Sequence, residues 1–248
     1  MDGRACALDG EAAMSNVRPS AYDGWIAIHN KYNWTVDLSD FRWSRNYPGY
    51  FDRIIKNPLE LEDKLREAVN SSSSLATIGE VCFWKNYGNS QSRDTLTLRL
   101  LEHLQRCDNG NTFTRAVKEL SYTPSWSKFI ALQRACNQLS GFATPLTFLS
   151  FYNPLKFPMV DKHIAYWWAA NKSVHGYDDA PVFSQIYDGW IQPIPQSWEA
   201  YDCWTDFCCY YAKSMKSCGV DWRARDIEMA VWEAQKRRIS LQRLDRNL

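Results

Sequence analysis

Residues 135–168 read "ACNQLSGFATPLTFLSFYNPLKFPMVDKHIAYWW", and their punctuation decides how the rest of the chain is read. Gly141 is a natural stop for a helix carrying Phe129, Leu132, Cys136 and Leu139. Thr144-Pro145 then has the form of an N-cap followed by proline at the first helical position. Leu146, Phe148, Leu149 and Phe151 continue that second helix until Asn153-Pro154 ends it. The expected product is two helices joined by a tight hairpin, followed by an extended segment, 157–160, that delivers Asp161 to the first turn of an aromatic helix.

Outward from this unit the pattern stays helical. "PLELEDKLREAVN" (58–70) begins with a first-turn proline and sets Leu59, Leu61, Leu65 and Val69 on one face; serines 71–74 end it. Three further helices follow in "RDTLTLRLLEHLQR", "TFTRAVKELSY" and "SWSKFIALQRACNQLSG", separated by Asp108-Asn109-Gly110 and Thr123-Pro124. Strand-like alternation is nearly absent, and there is no repeat of fixed period. The expected fold is all-α, a compact helical bundle. Residues 1–20 are small and polar and read as a frayed leader, leaving 21–248 as a single helical domain.

Composition narrows the class of protein. A chain of 248 residues that is 45% apolar can bury a large core. No apolar run reaches the roughly 18–20 residues of a membrane span, and no secretory signal is visible, so an intracellular protein in cytoplasm, nucleoid or nucleus is expected. The eight cysteines sit at helix positions without the spacing of a disulfide scaffold and read as reduced thiols. Twelve tryptophans must mostly pack. Trp198, Tyr201, Trp204, Cys208 and Tyr211 recur at helical spacing as a buried stripe. The net charge of +1 declares no nucleic-acid partner globally. The basic excess between Lys213 and Arg246 reads as the solvated face of a terminal helix.

The order Leu139-x-Gly141-Phe142-Ala143, a second helix, and then apolar-Pro-apolar-apolar-Asp-x-His resembles the helix-hairpin-helix DNA glycosylases, the superfamily of endonuclease III and 8-oxoguanine DNA glycosylase. In that family the hairpin reads Leu-Pro-Gly-Val-Gly, and the catalytic acid follows about twenty residues later. The resemblance covers residues 124–170. It implies a bilobal all-helical fold, a monomer, and a double-stranded DNA partner containing a modified base. It further implies excision of an oxidised purine such as 8-oxoguanine in base excision repair. Backbone N–H groups at Gly141, Phe142, Ala143 and Thr144 would hold a DNA phosphate. Asp161 would stabilise cationic character on the sugar of an extruded nucleotide, or activate the nucleophile. Asp161 could equally be the N-cap of its helix, and one carboxylate can do both.

Two departures qualify the resemblance. Ala143 replaces the second hairpin glycine. Pro145 stands where bifunctional members carry the lysine that forms a Schiff base, which implies a monofunctional enzyme using water. Lys85, in the aromatic setting Phe83-Trp84-Lys85, and Lys162, beside the acid, are the alternative amines for a bifunctional enzyme. A helix-hairpin-helix DNA-binding protein without chemistry is the other alternative. Cys203, Cys208, Cys209 and Cys218 lack the separations of the iron–sulfur cluster found in endonuclease III relatives, so no cofactor and no metal are expected. Trp198, Asp206 and Tyr210 resemble the base-pocket residues of 8-oxoguanine glycosylases, with Asp206 and Tyr210 four apart on one helical face. "WRARDIEMAVWEAQKRR" (222–238) resembles a closing helix that packs Ile227, Val231 and Trp232 inward and sends Arg223 and Arg225 to solvent or phosphate.

Overall fold

A computed structural model describes residues 23–71, 75–137, 141–186, 190–217 and 219–239. The expected leader and Leu139 lie outside them. Ten α-helices dominate the described residues: α1 (Asp23–His29), α2 (Leu59–Ser71), α3 (Leu75–Lys85), α4 (Arg93–Cys107), α5 (Asn111–Tyr122), α6 (Trp126–Ala135), α7 (Ala143–Tyr152), α8 (Lys162–Asn171), α9 (Pro195–Ser217) and α10 (Ala224–Lys236). Two antiparallel two-residue ladders tie down the connections. β1 (Val36–Asp37) pairs with β2 (Ile54–Ile55), and β3 (Gln185–Ile186) with β4 (Trp190–Ile191). The all-α expectation holds.

Helix α3 is enclosed by its neighbours. Its residues 76–84 are all buried, so it has no polar face and no amphipathic period to betray it in sequence. It packs on α2, α4 and α7. Gly79 makes the closest approach possible, because a Cβ there would meet Phe51 Cζ at 2.9 Å and Leu101 at 3.0 Å. Glu80, fully buried on the same helix, is answered by the Phe51 backbone N–H at 3.3 Å and by Arg53 at 3.4 Å and Lys64 at 3.8 Å.

The α6–α7 pair differs from expectation at its corner. Helix α6 stops at Ala135 with Cys136 as C-cap, and Asn137 turns left-handed at φ 56°, so the helix ends earlier than the spacing to Gly141 suggests. Gly141 itself is left-handed at φ 48°, the conformation that favours glycine. Thr144 is not the N-cap: α7 begins at Ala143 after Phe142, and no side chain caps it. Pro145 therefore occupies the third helical position, where its missing N–H is still one that has no partner inside the helix. Phe142 is 1% exposed and packs on Phe129, Phe183 and Tyr201, fixing the turn from the inside.

Helices α8 and α9 pack on each other through aromatic rings. Trp198, Tyr201, Trp204 and Cys208 are buried, as the helical spacing predicts, while Tyr211, the last residue of that stripe, is only half-buried. Trp204 stacks on Phe207 with centroids 5.3 Å apart and meets Trp167 and Trp168 edge-on. Helix α10 packs Ile227, Val231 and Trp232 inward, also as expected, against α1, α8 and α9.

Candidate functional site

Segment 153–160, extended at its end, is held on both sides before it reaches Asp161. The Tyr201 hydroxyl donates to the Pro158 carbonyl at 2.9 Å, and the Trp204 indole to the Met159 carbonyl at 3.0 Å, both from α9. On the other side the first turn of α10 turns its unpaired N–H groups onto it, Ala224 to Leu155 and Arg225 to Pro154. The Met159 N–H donates to Glu228 of α10. Phe157, Met159 and Val160 are buried. These bonds fix the segment that leads into Asp161.

Asp161 is the N-cap of α8. Its Oδ1 accepts from the N–H groups of His163 at 2.8 Å and Ile164 at 3.0 Å, and its Oδ2 accepts from the Trp232 indole at 2.9 Å. Capping and a second role are compatible, because the carboxylate retains unused lone pairs and stays partly exposed. Trp232 is held in turn by edge-on contacts with Tyr32 and Trp34, and by the Lys236 ammonium 4.9 Å over its ring.

Around Asp161 the fold gathers charged groups from four distant parts of the sequence. Lys85 ends α3 and is partly exposed. Burial lowers its amine below the usual lysine range; Asp161 and then Glu228 oppose that shift, and Arg225 adds to it. Glu228 is 1% exposed, and burial pushes its carboxyl up to about 7 against the pull of Arg225. Arg225 touches Glu228 directly, donates to the Tyr32 hydroxyl at 3.3 Å, and approaches Glu62 at 3.8 Å. Burial disfavours its charge, but Glu228, Tyr32 and Glu62 together outweigh it and hold the guanidinium charged. Burial pushes the Tyr32 hydroxyl up to about 12, with Asp161 among the charges that act on it. Arg225 therefore joins Tyr32 and Glu228 by direct contact, and the charges of Lys85 and Asp161 act on Glu228.

A second ring of pairs braces these contacts. Arg223 contacts Glu62 and makes two 2.8 Å hydrogen bonds to Asp226, which His29 approaches at 3.6 Å. Burial works against the Asp226 charge, yet Arg223 and His29 hold its carboxyl well below the usual range. Arg225 is fully buried and Arg223 only partly exposed, and both guanidinium groups are turned to carboxylates of the protein rather than left free for a phosphate. They neutralise Glu62, Asp226 and Glu228 inside the protein, and the terminal helix is not simply a solvated basic face. Tyr32, Arg225, Glu228 and Trp232 were not expected at the site. The one local signal was the spacing of Arg225, Glu228 and Trp232, three and four apart, which sets them on one face of α10.

The remaining expected residues lie elsewhere. Lys162 is exposed at the first position of α8, whereas Asp161 turns back over the helix N-terminus. Trp198 is 9% exposed and packs on Phe129 and Tyr201, so it is a core ring with little face to offer. Asp206 and Tyr210 do share one face of α9, but it is the exposed one, away from the Tyr201–Trp204–Cys208 face that meets 157–160. Asp202, Lys156 and Lys213 are the charges that act on Asp206 there. The structure does not bring Asp206 and Tyr210 to Asp161. Gly141 and Ala143 are partly exposed, while Phe142 and Thr144 are buried, so only backbone N–H groups of this turn could face a phosphate.

Cys203, Cys208 and Cys209 form no disulfide, and Cys218 lies outside the described residues. Among the described residues no three His, Cys, Asp or Glu side chains converge to hold a metal ion, and no helix is long and apolar enough to cross a membrane. Compared with known proteins, the chain matches no family model, no curated protein and no solved structure.

Proposed function

We propose that this chain is a DNA glycosylase of helix-hairpin-helix type that releases a modified base from duplex DNA, with an oxidised purine such as 8-oxoguanine the first substrate to try. The observation that carries the reading is the carboxylate of Asp161. It follows a helix pair whose corner holds a left-handed Gly141, and its two oxygens are oriented by α8 and by Trp232. A carboxylate fixed in this way, with its desolvated neighbours already in place, can stabilise positive charge on a deoxyribose without reorganising. The uncapped first turn of α7 offers N–H groups and the positive end of a helix dipole for a backbone phosphate, which suits a protein of low net charge. The choice of an oxidised purine rests on the sequence resemblance alone.

A second reading has one specific observation in its favour. Both oxygens of Asp161 already have partners, as a purely structural cap would require, and Pro145 supplies no amine. On that reading the protein binds DNA without chemistry.

One experiment separates the two. Duplexes carrying single lesions are incubated with wild type and with Asp161→Asn, and free base is measured by chromatography. Asn keeps a capping oxygen for α8 but turns its amide N–H₂ toward the Trp232 indole donor, so a stability loss of about 1 kcal/mol is expected. Excision is expected to fall by about 10²–10³ with duplex binding retained. Equal excision by both proteins refutes a catalytic Asp161, and release from no duplex leaves the DNA-binding reading.

A further inference from the structure

Both N–H groups that hold Oδ1 of Asp161 belong to its own helix, whereas the donor to Oδ2 comes from α10, 71 positions along the chain. One anchored oxygen leaves the plane of a carboxylate free to tilt, and an anchor on the other oxygen removes that freedom. Trp232 is built to be a rigid anchor. Tyr32 and Trp34, from the segment that follows α1, and His163 of α8 meet its ring edge-on at 5.6, 5.3 and 6.1 Å. One helical turn further along α10, the Lys236 ammonium stands 4.9 Å over the same ring. A cation on the face of an indole draws electron density toward itself, which leaves the ring N–H more positive and a stronger donor to a carboxylate.

Resting on the reading of Asp161 as the acid of a glycosylase, we propose that Trp232 is a positioning residue for that reaction: its indole N–H fixes the plane of the Asp161 carboxylate, and Lys236 strengthens that bond through the ring. The acting atom is the nitrogen, not the bulk of the ring. Trp232 forms no covalent bond and gives up no proton. Its loss is felt in the chemical step, because a carboxylate held only by its cap samples tilted orientations that meet the developing charge on the sugar less well. Helix α10 thereby becomes part of the site. Its first turn holds segment 153–160, and Trp232, two turns further on, holds the acid to which that segment leads.

Two substitutions separate the nitrogen from the ring. Trp232→Phe keeps an aromatic ring beside Tyr32 and Trp34 but has no N–H. Trp232→His loses the benzene ring but overlays its Nε2 on the indole nitrogen. Single-turnover excision is measured with the full chain in excess over an 8-oxoguanine duplex, or over whichever single-lesion duplex the wild type acts on. Trp232→Phe is expected to slow excision about 10–30-fold while binding of an abasic duplex stays within about threefold. Trp232→His is expected to be faster than Trp232→Phe although it loses more packing. Lys236→Met, at an exposed position, is expected to slow excision about twofold to threefold. Adding Trp232→Phe to Asp161→Asn is expected to cause no further loss, because Trp232 acts only through the acid. Without any DNA, the indole N–H proton resonance of Trp232, identified in the wild type by its proximity to the Tyr32 and Trp34 rings, should move upfield in Asp161→Asn. That measurement stands even if a Trp232 variant does not fold. A packing role alone reverses the order, with Trp232→His slower than Trp232→Phe, and overturns the proposal. An unshifted resonance, a wild-type rate in Trp232→Phe or a further loss in the double variant overturns it as well, and each leaves the glycosylase reading standing. A wild-type rate in Lys236→Met overturns the part given to Lys236. Release of base from no duplex by the wild type removes the glycosylase reading and this proposal with it.

Discussion

The two sides of segment 153–160 are built on opposite principles. On the α9 side Trp167, Trp168, Trp204 and Phe207 pack ring against ring, and the polar atoms of Trp204 and Tyr201 reach the Met159 and Pro158 carbonyls. On the α10 side Arg225, Glu228 and Glu62 are equally inaccessible but ionisable. Apolar burial stabilises wherever shape permits, at about 25 cal/mol for each Å² of apolar surface removed from water. Burying charges costs several kcal/mol per ion before pairing returns any of it. The aromatic side therefore accounts for rigidity by itself. The charged side has no stability argument in its favour, and Asp161 and Lys85, whose charges act on Glu228, are partly exposed.

The contrast breaks most visibly at Arg225. Arg225→Leu leaves Glu62 and Glu228 buried without their shared cation and should destabilise the fold by about 3–5 kcal/mol, measured by urea denaturation. Replacing Glu62 and Glu228 by Gln in the same chain should recover much of that loss. If Arg225→Leu alone is neutral, water reaches the cluster and it is not the dry network described.

Glu228 gives the next largest effect, and it depends on pH. Its folded carboxyl is raised to about 7, above its unfolded value, so its contribution to stability is full at low pH and is lost as pH rises through about 7. Other groups titrate nearby, with burial lowering His175 in the opposite sense, so the informative quantity is a difference. Between pH 5 and pH 8 the stability of Glu228→Gln should improve relative to wild type by about 2–3 kcal/mol. A difference that is flat across that range would mean that Glu228 is ionised throughout.

On the aromatic side the smallest effect is expected. Trp204→Phe removes one hydrogen bond and part of a ring from a packed site and should cost about 2 kcal/mol, with no dependence on pH between 5 and 8. It should also loosen the Met159 end of the segment that positions Asp161. A pH-dependent loss in this variant would show that the two sides are coupled through that segment.

Legibility in the sequence followed the same division. The stripe on α9 and the inward face of α10 were readable because a 3.6-residue period places their apolar residues together without help from the rest of the chain. Asp161 was readable because a cap acts on the residues that follow it. Helix α3 escaped because residues buried on every side carry no period, and with it went the position of Lys85. The end of α6 was misplaced because the left-handed turn began at Asn137, four residues before the glycine that looked like the stop. Asp206 and Tyr210 were correctly put on one face, but nothing local tells which face turns toward the acid.

What the sequence by itself determined is therefore the set of amphipathic helices, the helix–turn–helix order of 126–152, and an acid at the start of α8. These depend on contacts within a few residues. What only the tertiary structure decided is that Glu62 meets Arg223 across 161 positions, that Arg225 and Glu228 are buried, and that Lys85 comes within the field of Asp161. A charged side chain reads as solvent-facing until its partner is known, and the partner is chosen by packing between distant helices rather than by spacing along any one of them.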